Sequence, residues 1–263
     1  MGWLFCYNVE GGYMEELYKI IGKLYKEYQA YLNIKDLEDY VIEIKPAKEM
    51  GNVIASTIKK DCIRYLFLHE FLASNLLSSV AEHWEIGVLF HEFTHIADDK
   101  ILEINNVPQS KKYIYQPYIE YHAEFIKTLY MFDMQPFNNR IKISHTEKIN
   151  SQFGYISIYD YVVKAKEGYV GDINTNKKND MQCYISFFDR LSYFLGTASV
   201  YRICCDYKLD EIMDISSFTR KLGDVSEKIK DILLNTVDIR FDSRVAIESA
   251  KVFSPLIQPF LNK

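Results

Sequence analysis

Trp84-Glu85-Ile86-Gly87-Val88-Leu89-Phe90-His91-Glu92-Phe93-Thr94-His95-Ile96 is apolar on most faces of a helix and carries two histidines four residues apart. Ser79 and Glu82 upstream have the spacing of a capping box, in which a Ser oxygen and a Glu carboxylate satisfy backbone N–H groups at a helix start. The pattern predicts a long, mostly buried helix from there to Asn105-Asn106, ahead of Pro108. On such a helix His91 and His95 share one face a turn apart, so both imidazoles can point at one Zn²⁺. Glu92 sits about 100° round the helix, where it reaches a water on the metal without ligating, as a general base does. With 6 His and 19 Glu in 263 residues, His-Glu-x-x-His should arise by chance roughly 0.01 times, so it is read as a signal. His69-Glu70-Phe71-Leu72 begins identically but has Ala73 where the second His would stand. It follows a strand-like run with no helix signal, so His69 is read as a structural or loop residue.

A catalytic zinc usually takes three protein ligands and leaves a fourth position to water. Pro117 suits a helix start and Pro136 a stop, which predicts a second helix over about 117–134. It carries Glu120, His122 and Glu124, which cannot all face one ion. Glu120 and Glu124 share a face, whereas His122 lies about 200° round from Glu120. The choice is therefore the carboxylate pair or His122 alone. The pair has a mechanical logic: one Glu ligates while the other accepts a hydrogen bond from the far nitrogen of a ligating His and fixes its tautomer. Ala123 between them would permit close helix packing. Away from the first motif, the same two glutamates would be read as the solvated face of an ordinary helix.

His-Glu-x-x-His on one helix followed by Glu-x-x-Ala-Glu on the next resembles the gluzincin metallopeptidases, whose usual pattern on the second helix is Glu-x-x-x-Asp. Glu120 matches the ligand position, and Glu124 stands where Asp is usual beside a ligating His. The short spacing between the helices and the preceding strands are most similar to the ImmA/IrrE family of bacterial and phage metallopeptidases. The resemblance covers roughly residues 40 to 135. It implies an intracellular, zinc-dependent peptidase with one Zn²⁺ per chain held by His91, His95 and Glu120, with Glu92 as catalytic base and a protein or peptide as substrate, for some members a regulator. Asp99, four residues after His95, is similar in spacing to an acidic residue of thermolysin-like enzymes, or is an exposed helix acid. Zincins commonly use Tyr or His as oxyanion donor, and Tyr113, Tyr115, Tyr118 and His122 are near in sequence. Two other readings stand beside this one: a catalytically silent zincin-fold interaction module, which the intact Glu92 disfavours, and a zinc hydrolase of a non-peptide bond.

Outward from the motif, Leu17, Ile20, Ile21, Leu24, Tyr28 and Leu32 predict an amphipathic helix over 13–32. Residues 40–44, 53–58 and 62–68 read as strands, the last two flanking a hairpin turn at Lys59-Lys60-Asp61. The strand over 62–68 is a candidate edge for pairing an extended peptide. Residues 167–180, rich in Gly, Asn and Lys, read as an exposed loop, and 182–206, 224–236 and 243–262 as helices. Within 182–206 the aromatic run Tyr184, Phe187, Phe188, Tyr193 and Phe194 has the spacing of a core stripe. His83, Trp84 and His145 read as packing, surface or loop residues. The expected fold is α+β, mostly α: a zincin-like core of small twisted sheet plus active-site helix over 1–136, then a mainly helical region over 137–263.

A formal charge of −5 argues against a chain whose main task is binding nucleic acid. The apolar runs fall short of the roughly 20 residues that span a membrane, and Met1–Glu10 lacks the basic and apolar regions of a signal peptide. Five cysteines without metal-type spacing read as buried thiols of a reducing compartment. These features predict a cytoplasmic protein, and 24 lysines against 7 arginines suggest an AT-rich prokaryotic or phage genome.

Overall fold

The computed structural model describes residues 11–35, 39–134, 142–175, 181–234 and 239–261. Helix α1 (Gly11–Leu32) leads into a three-stranded sheet of β1 (Val41–Lys45), β2 (Ala55–Lys60) and β3 (Ile63–His69), with one turn of helix, α2 (Ala47–Met50), after β1. The sheet order is β1-β3-β2, with β3 parallel to β1 and antiparallel to β2. Strand β3 is therefore central and cannot be the substrate edge expected of it. The free edge on that side belongs to β2. Asp61 and Cys62 form the hairpin turn, both at positive φ (50° and 64°), as a two-residue turn between antiparallel strands needs. The turn lies one residue later than the Lys59-Lys60-Asp61 expectation, and it leaves Cys62 exposed rather than buried.

After β3 the chain enters α3 (Glu70–Leu77), where the sequence showed no helix signal. His69 caps it, its Nδ1 accepting from the Phe71 N–H at 3.0 Å, which is the structural role read for it. Ser79 sits at φ 55° just past the end of α3 and starts nothing. The long helix α4 (His83–Ile104) begins four residues later than Ser79, with Glu82 as its cap and the Glu82 N–H donating to Glu85 Oε2 at 2.6 Å. The capping box is real but shifted, because Glu82 and Glu85 repeat the i, i+3 spacing that Ser79 and Glu82 offered. One face of α4 is core: Phe90 and Phe93 pack edge-on against Tyr28 of α1, ring centroids 5.4 and 5.6 Å apart. Burying each such ring is worth about 1.5–3 kcal/mol. The opposite face carries the two histidines.

A 3₁₀ turn (Gln109–Tyr115) leads into α5 (Gln116–Met131), which ends before Pro136, a residue outside the described set. The chain then forms a hairpin, β4 (Lys148–Ser151) and β5 (Gly154–Ser157), that the sequence did not signal. Helix α6 (Ile158–Thr175) occupies most of the expected loop over 167–180, with 176–180 outside the described residues. Helices α7 (Met181–Cys204), α10 (Asp224–Leu234) and α11 (Ser243–Leu261) match the three later expectations, and short α8 (Leu209–Met213) and α9 (Ser216–Leu222) fill the gap between them. The result is a mostly helical α+β molecule, a small mixed sheet against the motif-bearing helix followed by a helical extension, as a zincin-like core with a C-terminal tail of helices requires. Among the described residues no helix is long and apolar enough to cross a membrane.

Helix α7 packs along α5, and Gly196 sets how closely. A Cβ there would lie 2.7 Å from Tyr121 O, 2.9 Å from Phe125 N and 3.0 Å from Glu124 Cβ, so only glycine allows the two backbones this approach. The same contact brings the α7 residues one turn before Gly196 over the motif.

Candidate metal centre

Helix α4 presents His91 and His95 on one face, and α5 presents Glu120 between them. Glu120 Oε2 lies 3.4 Å from His91 Nε2 and 3.4 Å from His95 Nε2. Ligands about 2.0–2.1 Å from a tetrahedral zinc stand about 3.3–3.4 Å apart, so the carboxylate oxygen already stands at that separation from each imidazole nitrogen. His91 Nδ1 and Glu120 Oε2 are buried without a hydrogen bond to protein. Such atoms are costly to leave unsatisfied, and an ion at this point relieves the Glu120 oxygen. The donor set therefore fits zinc.

Glu92 belongs to the same cluster: its carboxylate and the imidazoles of His91 and His95 offer ligand atoms within 4.8 Å of one another. Its Oε2 accepts a hydrogen bond from Thr57 Oγ1 of β2 at 3.1 Å, which holds the carboxylate toward the strand. Glu124 Oε2 lies 3.3 Å from His91 Nδ1, slightly longer than a normal hydrogen bond. Lys127 Nζ donates to both Glu124 oxygens, Oε1 at 3.0 Å and Oε2 at 3.1 Å.

Burial opposes charge on His91, yet the carboxylates of Glu120 and Glu124, 3.4 and 3.3 Å away, and that of Glu92 outweigh it and push the imidazole up to about 9. Burial likewise opposes charge on Glu120, but the His95 charge and the two imidazoles 3.4 Å away hold its carboxyl well below the usual carboxylate range. The raised His91 favours a bound proton in the cluster, so a metal ion binding there would displace it.

Comparison with protein-family models, with curated proteins and with solved structures returns no match for this chain. The chemistry of the cluster therefore carries the functional reading. His122 stands apart from it, Nδ1 2.9 Å from both Asp98 carboxylate oxygens and Nε2 3.0 Å from Ile239 O, pinning α4, α5 and the chain before α11 together. Asp99 is not an exposed helix acid: its side chain is 17% exposed and pairs with cations, Arg64 at 2.6 Å and Lys112 at 3.5 Å.

Of the four oxyanion candidates, Tyr113 lines the cleft over the cluster, Tyr118 is turned away to accept the Asp242 N–H at 2.6 Å, and Tyr115 and His122 are not on its walls. A tyrosine beside the histidines is Tyr193 of α7, its ring centroid 5.6 Å from that of His91. The core-stripe reading thus holds for Phe187, Phe188 and Phe194, which are buried, and is corrected for Tyr193. Burial pushes the Tyr193 phenol well above its ordinary range, and the charges on Glu120 and Asp189 add to this, so it remains an O–H donor. A signal was present: Asp189, Tyr193 and Gly196, spaced by four and three, form a polar and small line along an otherwise aromatic helix.

Two cavities flank the cluster. One, of about 490 Å³, extends past His95 between the β2 edge and the 3₁₀ turn. The other, of about 280 Å³, is walled by Val53, Ile54, Trp84, Val88 and Tyr169. They share Val53, His91, Glu92 and Tyr193, so the cluster lies between two halves of one groove.

Proposed function

We propose that this chain is a zinc-dependent endopeptidase of the gluzincin type, most like the ImmA/IrrE family, with His91, His95 and Glu120 as ligands. The observation that carries the reading is the pair of 3.4 Å separations from Glu120 Oε2 to the two imidazole Nε2 atoms. Bound zinc supplies a Lewis acid and lowers the pKa of a water. Glu92, steadied by Thr57, is placed to take a proton from the attacking water and would return it to the leaving amine. The Tyr193 hydroxyl donates to the carbonyl oxygen as negative charge develops on it. Glu124, steadied by Lys127, keeps His91 oriented.

The β2 edge runs along the groove and offers backbone N–H and C=O groups to an extended peptide. Because the groove continues on both sides of the cluster, a chain can lie across it without ending there, which supports internal cleavage. Residues 1–136 and 137–263 act as one catalytic unit in this reading, since α7 supplies Tyr193.

Two outcomes test it. Zinc-loaded protein should hydrolyse an internally quenched peptide library, and Tyr193→Phe should lower kcat by about 100-fold or more with zinc affinity unchanged. An unchanged kcat would remove Tyr193 from the oxyanion role. In chelator competition at fixed pH, Glu120→Ala should weaken zinc most and Glu124→Ala by about 10 to 100-fold. His122→Ala should weaken it least, its cost falling on stability because Asp98 is left buried without its hydrogen-bond partner. If His122→Ala proves the worst for zinc, the ligand set is three histidines.

A further inference from the structure

The two halves of the groove differ in chemistry. The half beside the start of α4 is walled by Trp84, Val88, Val53 and Ile54, and Lys127, a cation on its wall, is paired with Glu124. The half beyond His95 has three cationic side chains on its wall, Lys59, Arg64 and Lys112, against two carboxylates outside the metal cluster: Asp99 on the wall, which meets Arg64 and Lys112, and Glu103 behind it, which Lys59 and Lys112 share.

These cations are expensively placed. The Arg64 side chain is 3% exposed and that of Lys112 8%. Arg64 takes a position on β3 that alternates with buried Leu66 and Leu68, so it replaces a core residue. Lys112 has one short partner, Glu103 at 2.7 Å, and reaches Asp99 Oδ1 and O only at 3.5 Å. An ammonium has three donors, and two of those on Lys112 meet only the weak 3.5 Å contacts to Asp99, which a carboxylate in the cleft can outcompete. We propose that this end of the groove is a carboxylate-binding subsite, so that the substrate carries an acidic side chain or its own terminal carboxylate there.

Spacing gives its place in the substrate. Asp99 follows His95 by one helical turn and Glu103 by two, about 6 and 12 Å along the axis. An extended chain advances about 3.3 Å per residue. The carboxylate therefore falls about two to four residues from the scissile bond. This inference rests on the peptidase reading for its orientation, but peptide binding tests it without hydrolysis.

The experiment uses full-length Glu92→Gln protein loaded with zinc, and fluorescence anisotropy of labelled peptides with blocked termini, Glu or Gln being scanned through each position. A third set lacks Glu and has a free C-terminus. At one position two to four residues from the bond, Glu should bind roughly tenfold tighter than Gln. The advantage should be lost in Lys112→Met, kept in Lys112→Arg and diminished by salt. Lys59→Met, at the strand edge, gives a second reading should Lys112→Met fold poorly. Preference confined to the free C-terminus assigns the subsite to a terminal carboxylate. Equal binding of Glu and Gln at every position with no gain from a free terminus, or no binding by any peptide, overturns the proposal. A Glu preference in a protein that hydrolyses nothing would leave the subsite standing and remove the peptidase reading.

Discussion

Glu92→Gln is expected to bind zinc as tightly as the parent chain and to lose at least about 1000-fold in kcat on a peptide substrate. The amide keeps the size of the carboxylate, and its oxygen can still accept from Thr57 Oγ1, so the β2 contact and the shape of the cleft survive. What it loses is the ability to take a proton from water. A structural zinc site has no use for a base beside its ligands, so the comparison also separates an enzyme from a silent module on the same fold. Activity in Glu92→Gln within a few-fold of the parent would take the base role away from Glu92.

The histidines were legible because two constraints coincide on them. A helix places i and i+4 on one face, and burial of Phe90 and Phe93 on the other face fixes which side of α4 turns to the groove. The pairing of Glu120 with Glu124 was legible by the same periodicity on α5, and the structure turns His122 to Asp98 rather than to the cluster. Tyr193 was hidden for the opposite reason. A tyrosine in an aromatic helix reads as core, and only the packing of α7 on α5, allowed by Gly196, brings it over His91.

Strand order was also beyond the sequence. Runs of β-branched residues show that strands exist, but the parallel pairing of β1 with β3 makes β3 central and gives the groove edge to β2. Arg64 illustrates a local rule broken for a tertiary reason: a cation on the buried face of a strand is tolerated because Asp99 of α4 meets it. Over 167–175 the loop expectation failed because Gly168 and Gly171, breakers by propensity, lie inside α6, where its Tyr161 and Val162 are buried in the core.

The most direct test of the central claim is the zinc content of the purified protein by elemental analysis, beside His95→Ala prepared identically and shown to be folded by circular dichroism. The parent should carry about one zinc per chain and His95→Ala almost none, because two remaining ligands do not hold the ion against buffer and water. A folded parent that carries no zinc under replete conditions, or a His95→Ala protein that retains as much as the parent, would contradict the account.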